Sequence, residues 1–174
     1  EKLLSEIMSE YEDRKCKVYL LHGDLSDTQM NWLYQHEKIK CFINLAHGEG
    51  FGLPMFEAAQ NKLPIITVGW SGHLDFLRHE GKDYFANVKH KIQPIQKQAV
   101  WNGVLEPDSS WAYADQASYK MTLRKVYKNW QKYKSQADEL ETIITDKFNE
   151  KKMYDEFVQS VIDACDINKS EFAL

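Results

Sequence analysis

Apolar residues recur at Leu3, Leu4, Ile7, Met8 and Tyr11 with acidic residues between them, a helical spacing that predicts an amphipathic helix over residues 1–13. The pattern then changes period. Residues 16–21 are a short apolar run that stops at Gly23-Asp24, which reads as a buried strand entering a turn. Ser26 followed three residues later by Gln29 forms a capping-box pattern, and Met30, Leu33 and Tyr34 supply the apolar stripe of a helix reaching about Glu37. Residues 41–46 predict a second strand, residues 53–60 a second helix with Pro54 in its first turn, and residues 64–68 a third strand. Strands alternating with short helices pair in parallel through right-handed crossovers, so the class is α/β with a Rossmann-like parallel sheet flanked by helices.

After Gly72 the alternation loosens. Residues 84–105 scatter β-formers (Tyr84, Phe85, Val88, Ile92, Ile95, Val100, Val104) around Pro94, which predicts extended, partly irregular chain. From Ala114 onward helices return. Leu123, Val126, Tyr127, Trp130, Tyr133 and Ala137 read as one face of a helix, followed by Leu140, Ile143, Ile144 and Phe148, then by Met153, Phe157, Val161 and Ile162. The expectation is one domain over residues 1–174 with a helical part at about 114–174.

Composition narrows the function classes. The 174 residues are 43% hydrophobic, close to the ordinary ~45–50% of globular proteins, and that opposes disorder. With 26 acidic and 22 basic residues the net charge is −4, against the basic excess of a nucleic-acid binder. The three cysteines are far apart and form no C-x-x-C pair, which points to a reducing, cytoplasmic setting over a disulfide framework or a zinc site. No apolar run approaches the ~20 residues of a membrane span. The chain opens on Glu1 within helix-like sequence and is expected to be an N-terminally truncated fragment.

The chemistry concentrates in Gly48-Glu49-Gly50-Phe51-Gly52-Leu53-Pro54-Met55-Phe56-Glu57-Ala58. This stretch follows a predicted strand and opens a helix, so its glycines and the helix N-terminus fall at the carboxyl end of a parallel sheet, where α/β folds bind ligands. Glycine lets backbone N–H groups approach a ligand, and the unpaired first-turn amides attract phosphate or sugar oxygens. A carboxylate only accepts hydrogen bonds, so Glu49 and Glu57 suit paired hydroxyls. Together these features fit a nucleotide sugar better than a bare phosphate.

Residues 49–57, with Asn61-Lys62-Leu63-Pro64-Ile65-Ile66-Thr67 and residues 69–77, closely resemble the E-G-F-G-L-P-x-x-E-A signature of family 4 retaining glycosyltransferases and the segment after it. The resemblance extends back through residues 18–34, where Gly23-Asp24-Leu25-Ser26 is similar to the turn near the nucleobase, and forward to Trp111-Ala112-Tyr113-Ala114-Asp115. It implies the nucleotide-binding, carboxyl-terminal half of a GT-B fold. It also implies that Glu57 accepts from ribose hydroxyls and that Glu49 is the catalytic-site acid, contacting the transferred sugar. The amides of Gly50, Phe51, Gly52 and Leu53 would hold sugar and phosphate, and Leu25 would lie near the base.

The implied reaction is transfer of a hexosyl group from a nucleoside diphosphate sugar, with front-face departure of the diphosphate, no metal and no cofactor. The acceptor, whether glycan, lipid or small molecule, would sit on a missing N-terminal half, as would an Arg and a Lys that neutralise the diphosphate. The fragment alone is expected to transfer little or no sugar. Where relatives show G-G-x-x-E, this chain has Ser71-Gly72-His73-Leu74-Asp75. A non-catalytic nucleotide-sugar-binding module and a nucleotide-sugar epimerase are the alternatives.

Other features have plainer readings. His47 and His73 flank the motif and read first as structurally hydrogen-bonded. The acid-free basic run from Lys120 to Lys134 accompanies an apolar stripe, so a solvated helix face is preferred over contact with an anionic membrane. Trp111 and Tyr113 read as packing residues before sugar-stacking ones.

Overall fold

The computed structural model describes residues 2–165. Three parallel strands, β1 (Phe42–Asn44), β2 (Ile65–Val68) and β5 (Ala86–Val88), form the sheet in the order β1-β2-β5. Phe42 pairs with Ile65 and Ile66 with Ala86, which places β2 at the centre. All four β2 residues are buried, because helices cover both faces of a central parallel strand and no position is left for a polar side chain to reach water.

Helix α3 (Leu53–Gln60) carries the chain from β1 to β2. It packs with α6 (Trp130–Lys147) on one face, burying Met55, Ala59, Ile65, Phe76, Leu77, Leu140 and Ile144 together. On the opposite face α5 (Gln116–Lys128) sets Val126 against Ile66, Val68, Ala86 and Val88. Between β2 and β5 the chain makes a single turn, α4 (Leu74–Leu77), and a short hairpin, β3 (Arg78–His79) with β4 (Lys82–Asp83). The hairpin is tied to α6 where Lys82 Nζ and Tyr84 Oη both donate to Glu139 (2.8 Å each). These donors, Lys82 first, hold the Glu139 carboxyl below the usual carboxylate range. A separate antiparallel ribbon, β6 (His90–Pro94) with β7 (Ser110–Ala114), follows the sheet.

The α/β class and the three sheet-proximal elements agree with the spacing of apolar residues. The capping box also forms: Gln29 N–H donates to Ser26 Oγ (3.4 Å) and Ser26 N–H to Gln29 Oε1 (2.9 Å), opening α2 (Asp27–Gln35). Two expectations fail. Residues 16–21 form no strand, and Tyr19 is 81% exposed. A strand exists only where a neighbour takes up its alternate N–H and C=O groups; the sheet ends at β1, and the run pairs with nothing there.

The stripe from Leu123 to Ala137 is divided between two helices. Asn129 ends α5 and precedes α6 with φ −121° and ψ 35°, while its side chain donates to the Lys125 carbonyl (3.0 Å). A short amide that bonds its own helix's last turn competes with helix continuation. The predicted amphipathic start is shorter than expected, α1 (Lys2–Ser9), and the last apolar stripe lies on α7 (Glu150–Cys165), which buries no residue. No helix among the described residues is long and apolar enough to cross a membrane.

Phe76 is almost wholly buried and touches Phe51 and Phe56 with centroids 5.0 and 5.2 Å away. Phe76→Ala should destabilise the fold by about 3–5 kcal/mol. Tyr127→Ala, at a position 84% exposed, should stay within about 0.5 kcal/mol of the parent. Urea unfolding midpoints at unchanged slope test both, and equal midpoints would contradict the assigned core.

Candidate functional site

At the carboxyl end of β1 the chain turns through residues 45–52 into α3. Asn44 sets this turn: its Oδ1 accepts from the Ala46 N–H (2.7 Å) and its Nδ2 donates to Glu49 Oε1 (2.8 Å). The second carboxylate oxygen of Glu49 has no protein partner among the described residues. On α3, Glu57 Oε2 accepts from the Tyr34 hydroxyl of α2 (3.4 Å), and its Oε1 is likewise unpartnered among those residues. Burial first, and the neighbouring Glu57 carboxylate second, push the Tyr34 phenol above its ordinary value, so it remains a donor at neutral pH. Each acid thus gives one oxygen to the protein and keeps one open.

Between the two acids lies a run of amides without protein partners among the described residues, with Gly52 the buried member of the run. Among the described residues, the amides of Gly50, Phe51, Gly52 and Leu53 donate no backbone hydrogen bond. Pro54 has no N–H, and Met55 and Phe56 N–H both turn back to the Gly52 carbonyl (2.9 and 3.0 Å). Gly52 caps α3 in the left-handed region (φ 86°) with no side-chain cap. The left-handed φ is what favours glycine there; a Cβ would also stand 2.9 Å from the flexible Met55 Cε and 3.2 Å from His73 Cβ, a tight but smaller objection. Successive unpaired amides beside a helix N-terminus make a concavity for anionic or strongly accepting oxygens.

The loop does not hold this shape alone. Ser71, after β2, accepts from the Glu49 N–H (3.0 Å) and donates to the Glu49 carbonyl (2.7 Å), and Gly72 N–H donates to that same carbonyl (3.0 Å). Ser71 pays a conformational cost for this position, since its φ is +85°. Gly72 meets the neighbouring loop so closely that a Cβ would fall 1.8 Å from the Gly50 carbonyl oxygen.

Below the loop, Phe51 turns inward against Phe56, Phe76 and Phe148 (centroids 5.0–5.8 Å) and so offers its backbone, not its ring, to the open side. Buried His73 donates from Nε2 to the Val68 carbonyl (2.8 Å), leaving Nδ1 without a partner. His47 donates from Nδ1 to Ala112 O (2.8 Å), stacks on Trp111 (4.7 Å, 8°) and meets Tyr113 (4.5 Å). Both histidines are structurally bonded.

The residues read from the motif therefore divide. Glu49, Gly50, Phe51, Gly52 and Leu53 share one loop, and Glu57 follows on the same helix. Leu25 lies just before the N-terminal end of α2, exposed, and makes no hydrogen bond to the loop among the described residues. Asn44, Ser71 and Tyr34 were not singled out from sequence; an Asn closing a strand before a glycine-rich turn was the available signal for the first. No lysine or arginine is hydrogen-bonded to residues 48–52 among the described residues. No three His, Cys, Asp or Glu side chains converge to hold a metal ion there either.

Cavities of about 540 Å³, lined by Asp75, His79, Lys147, Phe148 and Met153 among others, and of about 330 Å³, lined by Cys41, Val126 and Trp130 among others, lie elsewhere. The chemistry favours the loop over these cavities: the first is half-open and lined by charged side chains of both signs, the second is mainly apolar, and the run of amides partnerless among the described residues lies in the loop. No protein-family model, no curated protein and no solved structure matches the chain.

Gly72→Ala should cost at least about 2 kcal/mol, since backbone on two strand-end loops must separate to admit the methyl group. Chemical unfolding measures it. A change within about 0.5 kcal/mol would mean that the two loops are not in contact.

Proposed function

We propose that this chain binds a nucleoside diphosphate sugar and is the donor-binding half of a retaining glycosyltransferase of GT-B fold. The observation that carries the reading is the run of four free amides at residues 50–53 set between two carboxylates, each with one open oxygen. Amides suit the phosphate and sugar oxygens, and carboxylates, which only accept, suit hydroxyl pairs that can both donate to them. The open oxygen of Glu57 takes the ribose hydroxyls, with Tyr34 fixing the other oxygen. Glu49, oriented by Asn44, takes hydroxyls of the transferred hexose.

In the proposed reaction the C1–O bond breaks with its electron pair leaving on the diphosphate. The acceptor hydroxyl forms the new bond from the same face, and its proton passes to the departing phosphate oxygen. The bond from Asn44 supports a positioning role for Glu49, because a carboxylate already committed to an amide donor is a poorer nucleophile. Stabilising the leaving charge is the main electrostatic demand of this step. The loop amides meet part of it; basic groups supplied opposite this edge would meet the rest. A binding module without transfer activity is the second reading, favoured by the lack, among the described residues, of any basic side chain bonded to the loop.

A calorimetric panel of UDP, GDP, ADP and their hexose esters tests the reading. Glu57→Ala should weaken nucleoside diphosphate binding by about 10-fold or more, the loss of a charge-assisted pair of hydrogen bonds. Glu49→Gln should weaken the sugar esters while sparing the bare diphosphates. If Glu57→Ala binds as tightly as the parent, the ribose assignment is wrong.

A further inference from the structure

The same sheet edge carries one large side chain that neither the core nor the amide run uses. Trp70 lies two residues beyond β2, is 42% exposed, and belongs to none of the three buried apolar clusters. Its backbone is nevertheless fixed on both sides. Gly69 N–H donates to Asn87 Oδ1 (3.1 Å), and Ser71 is held at a positive φ by its two bonds with Glu49. The indole Nε1 lies 3.9 Å from where a Cβ on Gly48 would stand, so the ring leans over the residue next to Glu49. His90, opening β6, flanks it with ring centroids 6.2 Å apart.

Strained backbone that survives beside a site is held there by its surroundings, and its effect here is to fix an exposed indole beside a half-open carboxylate. A flat π surface next to a hydrogen-bond acceptor matches a ring with an apolar C–H face and a hydroxyl rim. Phosphate could use only the indole Nε1–H and not its face, and Glu57 on α3, with Tyr34 on α2, is placed for the ribose. We propose that Trp70 is a stacking platform for a pyranose ring whose rim hydroxyls are accepted by Glu49. The inference rests on the nucleotide-sugar reading above and extends it to the sugar's apolar face.

The test compares the parent with Trp70→Ala and Trp70→Phe, using UDP, GDP, ADP, UDP-glucose, GDP-mannose, ADP-glucose and, separately, maltotriose observed by ligand NMR. Trp70→Ala should weaken the preferred sugar ester about 5- to 10-fold and leave its bare diphosphate unchanged, and Trp70→Phe should recover most of the loss. Loss confined to maltotriose also supports the platform and assigns it to a second sugar. The proposal is overturned if Trp70→Ala changes neither arm, or if it weakens bare diphosphate and ester equally, which would report general damage to the loop. A parent chain that binds maltotriose but no nucleotide would remove the donor reading while leaving the platform to the maltotriose arm. A parent that binds none of these probes removes both. Unchanged thermal unfolding of the two variants confirms that they fold.

Discussion

The site depends on one seam, the contact between the loop after β1 and the loop after β2. Glu49 gives its backbone N–H to Ser71 and its carbonyl to Ser71 and Gly72, while Gly72 lies against the Gly50 carbonyl. The parallel pairing of β1 with β2 brings the two strand ends level, and the seam converts that register into a fixed loop. Glu49 is bonded through its main chain, and of its side chain only one carboxylate oxygen is taken, by Asn44, which leaves the other for a ligand. Because residues 50–52 precede the helix and Leu53 opens its first turn, their amides have no backbone partner among the described residues to lose when a ligand arrives. Preorganised donors of this kind bind without first breaking internal hydrogen bonds.

Much of this was legible in the chain, and the exceptions share a cause. The capping box, the buried β2 run and the glycine-rich turn are local patterns whose physics is complete within a few residues. The run at residues 16–21 has the composition of a strand, but being a strand depends on a neighbour that composition cannot specify. Asn129 divides a stripe that looked continuous, since apolar spacing registers faces and not the backbone bond that ends a helix. Within the candidate site, the motif drew attention to a loop whose amides lack backbone partners and whose two acids each keep one oxygen without a protein partner among the described residues. It did not identify Asn44, Tyr34 or Ser71, because their roles arise only when separate elements meet. Ser71 looked like a departure from a glycine pair and is instead the clasp.

Among the described residues, the open sheet edge at β1, the exposed faces of α1 and α7, and a loop site with no enclosing wall form one pattern. A donor loop at the carboxyl edge of a sheet becomes a water-excluding site only when something closes over it. That fits the proposal that acceptor and charge-neutralising groups come from outside the described surface, and it agrees with the acidic balance of the chain. The free amides and half-open carboxylates are suited to recognition; the chemistry of transfer needs the opposing groups.

The most direct test follows the backbone amide resonances of Gly50, Phe51, Gly52 and Leu53 while the isotope-labelled chain is titrated with a nucleoside diphosphate sugar. The account predicts that these four shift together and saturate, with Glu49 and Glu57 among the next most affected. Saturating shifts confined to the cavities beside α7 or Trp130, with these four amides unmoved, would contradict it.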